Sequence, residues 1–81
     1  MDNQIKAKIS QCLAYSMEIE GAKFSHNPEA GCISVYEFNG ADYLFNFSVY
    51  SYTAEKLDKM ITDLINHISK SNLENALNAE L

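Results

Sequence analysis

The sequence has no arginine, a single proline and only two cysteines, and no apolar run approaches the roughly 20 residues a membrane-spanning helix needs. Each shortage excludes something. Without guanidinium groups the chain lacks the planar fork favoured for phosphate and guanine edges. Its six lysines, at positions 6, 8, 23, 56, 59 and 70, are scattered among acids and form no basic stripe. Direct binding to DNA or RNA is therefore not expected, nor is docking on an anionic membrane. Cys12 and Cys32 cannot make a multi-bridge framework, and no charged start with an apolar run and small-residue cleavage site opens the chain. A cytoplasmic location with both thiols reduced is the expectation, with the thiols acting as small apolar side chains.

Eleven acidic residues oppose the six lysines, a formal net charge of −5. Eighty-one residues allow one domain, residues 1–81. A domain this small buries only about 60% of the surface its unfolded chain exposes, so its core is thin. Chains of this size often make up the deficit with a disulfide, a metal or a second copy.

Periodicity predicts an α+β fold: an N-terminal helix, an antiparallel sheet of two or three strands built on an Asn-Gly hairpin, then one or two C-terminal helices. Residues 2–20 read as an amphipathic helix, capped by Asp2 or Asn3, with Ile5, Ile9, Cys12, Leu13 and Met17 at helical spacing and Gly21 just past its end. Residues 22–26 suit a short first strand that ends at the Asn27-Pro28-Glu29 turn. Residues 32–38 and 41–50 are rich in β-branched and aromatic side chains, and Asn39-Gly40 separates them. Asn-Gly suits a type I′ turn, which needs two positive φ values. That turn sets Tyr36 against Tyr43, Ser34 against Phe45 and Cys32 against Phe47. The core face then carries Cys32, Tyr36, Phe38, Tyr43, Phe45, Phe47 and Val49. Ile33, Val35 and Glu37 lie on the other face, opposite Asn46, Leu44 and Asp42. A slip of one residue inverts both assignments.

Thr53 suits the cap of a second helix, with Leu57, Met60, Ile61, Leu64, Ile65 and Ile68 as its apolar stripe. Leu73, Leu77 and Leu81 form another stripe, roughly opposite the first if the helix is unbroken. Ser71 with Glu74 is a capping-box pattern and favours a break near residues 69–72; otherwise the tail runs on intact. Either way these leucines are expected to be buried, by folding back or against another chain.

No residue pattern signals catalysis. His26 and His67 lack the convergent partners of a metal site, and no cofactor is expected. Cys32 and His26 could approach across a strand pair, yet nothing in the sequence holds them together as nucleophile and base. Glu18 and Glu20, two apart on a helix, point in different directions. Glu37 and Asp42 face each other in the inferred register, where like charges attract a cation or a basic partner. The tyrosines of the sheet suit packing or a protein interface better than base stacking, which normally comes with basic neighbours.

The chain therefore reads as a non-enzymatic, acidic protein-binding module, an inhibitor or adaptor for a partner with a basic surface. A sharper version occupies a nucleic-acid groove of a larger protein, as the anti-restriction and anti-CRISPR inhibitors of phage-type mobile elements do; size and charge alone suggest it. The alternative is a structural protein that self-associates as a homodimer. Candidate partner-binding residues are Glu37, Asp42, Ile33, Val35, Leu44, Tyr50, Leu73, Leu77 and Leu81.

Overall fold

The computed structural model describes residues 2–79. The elements are α1 (Asn3–Met17), β1 (Lys23–Asn27), β2 (Cys32–Asn39), β3 (Asp42–Val49) and α2 (Ala54–Ala79), an α+β arrangement with an antiparallel sheet in the order β1-β2-β3. Local chemistry sets most of the boundaries. Asp2 Oδ1 accepts a hydrogen bond from the Gln4 backbone N–H at 2.7 Å and caps α1. α1 stops at Met17, short of the expected end at residue 20, and its cap is Glu18 with φ −83°, whose N–H bonds the Tyr15 carbonyl. Gly21, at φ +83°, makes its left-handed turn later, in the loop before β1. Asn27 Oδ1 accepts from the N–H groups of Glu29 and Ala30 and closes the β1–β2 turn. Thr53 Oγ1 accepts from the Lys56 N–H and caps α2. No helix among the described residues is long and apolar enough to cross a membrane.

Both helices pack on one face of the sheet. The core is made by Ile9 and Cys12 of α1, Ile33 and Val35 of β2, and Leu57, Met60 and Leu64 of α2, with Phe24, Phe45, Phe47 and Val49 packed against it. The helices run in the same direction: Lys8 pairs with Asp58 near their starts, while the end of α1 lies beside the second half of α2.

The hairpin corrects the expected register. Asn39 pairs with Asp42 and Phe38 with Tyr43, so the loop residues are Gly40 and Ala41, one position later than expected. Gly40 has φ +68° and Ala41 does not share the positive region, the φ signs of a type II′ turn. The register then shifts between Glu37 and Phe38: Glu37 pairs with Phe45, Val35 with Phe47 and Ile33 with Val49. Leu44 is the extra residue of a β-bulge. The turn displacement alone keeps the expected faces; the bulge inverts them for β2. Ile33 and Val35, expected on the open face, are 1% and 0% exposed in the core. Phe38 and Tyr43, expected in the core, are 50% and 52% exposed. Phe45, Phe47 and Val49 do face inward, as expected.

A second correction concerns the C-terminal region. α2 is one 26-residue helix that passes through residues 69–72 without a break, about 39 Å long at 1.5 Å per residue. No proline or glycine stands there to stop it. Leu73 and Leu77 consequently stay on the side away from the core, 61% and 54% exposed, and the folded-back arrangement is absent. Leu81 lies outside the described residues.

Candidate functional site

The direction of the elements brings three segments to one end of the molecule. The end of α1 supplies Glu18, Ile19 and Glu20; the hairpin supplies Glu37 and Leu44; α2 supplies His67, Ile68, Lys70 and residues 71–75. They line an open cleft of about 580 Å³. Four carboxylates, Glu18, Glu20, Glu37 and Glu74, share this cleft with one lysine. Two ion pairs stand among the described residues, Lys8 with Asp58 and Lys59 with Asp63 at 3.2 Å, and both lie outside the cleft. None of the four cleft glutamates takes part in an ion pair among the described residues. Glu37 is held at the cleft wall because its carboxylate rests against Gly21, in the space a side chain there would occupy. Leu44, pushed out of the ladder by the bulge, adds an exposed apolar side chain to the same cleft.

The other expected site residues separate. Asp42 pairs with Asn39 at the hairpin tip and does not face Glu37, which lies opposite Phe45, so the expected carboxylate pair is not formed. Ile33 and Val35 are core residues and leave the candidate surface. Tyr50 is exposed just beyond β3, and Leu73 and Leu77 are exposed on α2. His26 and Cys32 do not meet. His26 pairs with Ile33 and its Nε2 lies 3.1 Å from the Tyr52 hydroxyl, whereas Cys32 pairs with Asn27 and turns its Sγ to the Ala30 carbonyl. Cys12 is fully enclosed, and burial pushes its thiol up to about 11 from the ordinary 9.0. Among the described residues no three His, Cys, Asp or Glu side chains converge as metal ligands.

Two features escaped sequence reasoning. Glu18, Glu20 and Glu74 join the cleft only because α1 and α2 run parallel, a tertiary fact with no local spacing to signal it. The sheet face away from the helices carries an aromatic cluster. Phe38 and Tyr43 stack at 4.7 Å between ring centres, and Tyr36 meets them edge-on at 5.5 and 5.9 Å. Its signal was present as three ring-bearing residues around the turn, but the assumed register turned them inward. The rest of that face is polar, with Ser34, Ser48 and Asn46 joined by hydrogen bonds.

No protein-family model matches the chain, and neither a curated protein nor a solved structure matches it.

Proposed function

We infer that this chain is an acidic protein-binding module, an inhibitor or adaptor without catalytic activity, whose cleft receives a lysine- or arginine-bearing segment of a partner protein. One observation carries the reading: four glutamates from three separate elements converge on one concave surface with a single lysine among them. Like charges gathered this way repel at a cost to the isolated domain, and a basic segment relieves it. Ile19, Leu44 and Ile68 add apolar contact for the stems of such side chains. The sharper form is occupation of a nucleic-acid groove, as anti-restriction and anti-CRISPR inhibitors do, with the cleft and its acids standing in for phosphates.

The test is a titration with a ten-residue lysine-arginine peptide, followed by amide chemical shifts. Shifts should concentrate at Glu20, Glu37, Leu44 and Glu74. Affinity should fall about tenfold or more as salt rises from 50 to 300 mM. Glu20→Gln with Glu37→Gln should weaken binding several-fold, as expected when complementary charges are removed, and leave the circular dichroism unchanged. Shifts scattered over the surface, or salt-independent binding, overturn the reading. The groove-occupying form makes a further demand: the chain must displace DNA from the protein it captures, and capture without displacement leaves an adaptor.

A further inference from the structure

The sheet has two edges, and they are not alike. β1 is five residues long, opens with Lys23 and runs into Asn27-Pro28, all features that discourage further pairing. β3 is eight residues long and carries neither charge nor proline over residues 43–49; past the bulge its ladder to β2 is regular. Every second residue of such a strand points its N–H and C=O away from the sheet, where another extended backbone matches their spacing. α2 runs back along this edge: Lys56 Nζ donates to the Tyr50 and Ser51 carbonyls at 3.2 and 3.4 Å, and further on the His67 ring lies 4.4 Å from that of Phe45. Between strand and helix a groove of about 360 Å³ is lined by residues 47–50 and by Lys56, Lys59, Met60 and Asp63.

The groove differs in charge from the chain around it. It holds two lysines against one aspartate, in a protein of net charge −5 whose cleft gathers four glutamates around one lysine. Lys56 takes part in no ion pair among the described residues; the two carbonyls hold its ammonium over the end of β3, and it has a further N–H to give. Lys59 pairs with Asp63, but its side chain is 79% exposed, and a surface pair of this kind yields to a better-placed carboxylate. Both lysines stand beside the C-terminal end of β3, while Asp63, one turn further along α2, stands nearer its middle. Phe47, Val49 and Met60 close the groove towards the core.

We propose that the β3 edge and this groove bind an extended segment of another protein, about five residues long, with a carboxylate at its N-terminal end and small apolar side chains at alternate positions after it. The segment adds a fourth strand antiparallel to β3 over residues 45–49. Antiparallel pairing continues the order of the sheet and is the slightly stronger form. It sets the first residue of the segment opposite Val49, where a side chain on the helix side reaches Lys56 and Lys59. The third residue stands opposite Phe47 on the same side and fills the apolar part of the groove. An acid there would meet Asp63 instead, so the charges fix the direction of the strand as well as its place. The occupant is a single strand, because a sheet carrying its own helices, brought to the pairing distance of about 4.8 Å, would overlap α2. The groove shares no lining residue with the acidic cleft, so this site does not rest on that one.

The probe is the peptide acetyl-Asp-Thr-Val-Thr-Val-amide, titrated into the full-length chain and followed by amide chemical shifts. Shifts should concentrate at residues 45–50, Lys56 and Lys59 and spare Glu18, Glu20 and Glu74 of the cleft, with nuclear Overhauser contacts between the backbone protons of peptide and β3. N-methylation separates strand pairing from side-chain adhesion. Methylating the peptide's valines or its threonines should abolish binding in one case and spare it in the other, because alternate N–H groups face β3. Lys59→Glu should weaken binding about tenfold with unchanged circular dichroism, since its side chain is exposed. Absence of shifts at millimolar peptide overturns the proposal, as do shifts centred on the cleft. Equal effects of the two methylation patterns overturn the strand pairing, and an unchanged affinity in Lys59→Glu overturns the assignment of the acid.

Discussion

Ile33→Ala removes three carbons from a side chain that is 1% exposed at the centre of the sheet. At about 0.8 kcal/mol per buried methylene the transfer loss is roughly 2.4 kcal/mol. The cavity left between β2 and the helices raises the total to about 3–4 kcal/mol, within the range for such truncations. A chain of this length has a total stability on the order of 4–12 kcal/mol, so the loss is a large fraction of it. Phe38→Ala removes a larger side chain, yet one that is half exposed and stacked only on Tyr43 and Tyr36. Its cost should be about 1–2 kcal/mol, from partial burial and the aromatic pair. The register implied by an Asn39-Gly40 loop reverses this order, with Phe38 costly and Ile33 mild. Urea unfolding followed by circular dichroism measures both midpoints under one m-value. If Ile33→Ala is unfolded in buffer, Ile33→Val gives the graded version at about 1 kcal/mol. Phe38→Ala costing as much as Ile33→Ala would refute the bulged register and both face assignments.

Gly40→Ala should cost about 1 kcal/mol, because φ is +68° there while nothing lies within 4 Å of the added carbon, so thermal unfolding reads backbone strain alone. The Cys12 thiol keeps its proton to about pH 11 when folded but loses it near 9 when unfolded. Between those values the unfolded chain binds fewer protons, so stability should decline with rising pH by about 2 kcal/mol, a slope that Cys12→Ala removes. Lys8→Met should cost less than about 1 kcal/mol, since Asp58 is largely exposed, and the difference should shrink further in 1 M salt. Truncation after Asn72 removes Leu73 and Leu77 from a part of α2 that does not reach the core, so the monomer's unfolding midpoint should move by less than about 1 kcal/mol.

The elements themselves were legible in the sequence because each carries its own chemistry. Asp2 and Thr53 cap the helices they were expected to cap, whereas α1 ends at Met17 under a Glu18 cap and leaves Gly21 in the following loop. The β-branched and aromatic runs became strands, and residues 22–26 anticipated β1 to within one residue. What failed was phase. An Asn-Gly-Ala-Asp stretch has the same composition whether the loop is Asn39-Gly40 or Gly40-Ala41. The bulge at Leu44 has no glycine to mark it, and it alone reverses which face of β2 is inside. The capping-box pattern at Ser71 and Glu74 was real in sequence but idle in the fold, since an uninterrupted helix satisfies the same backbone groups internally. The cleft was the least legible feature. Its acids come from positions 18 to 74, and only the parallel run of α1 and α2 makes them neighbours.

That parallel run also fixes an order of assembly. The sheet is a simple meander, so β1 and β2 can pair as soon as both exist, and β3 can follow by a two-residue loop. α1 is different. Its inward side, with Ile9, Cys12 and Ser16, is closed largely by α2, whose first residue follows the end of α1 by nearly half the chain. During synthesis the first helix therefore waits with its apolar side wet until the last element arrives, and loop closure over that separation comes late in folding. Throughout that interval the Cys12 thiol has its ordinary acidity and is open to oxidants; docking of α2 is the event that withdraws it.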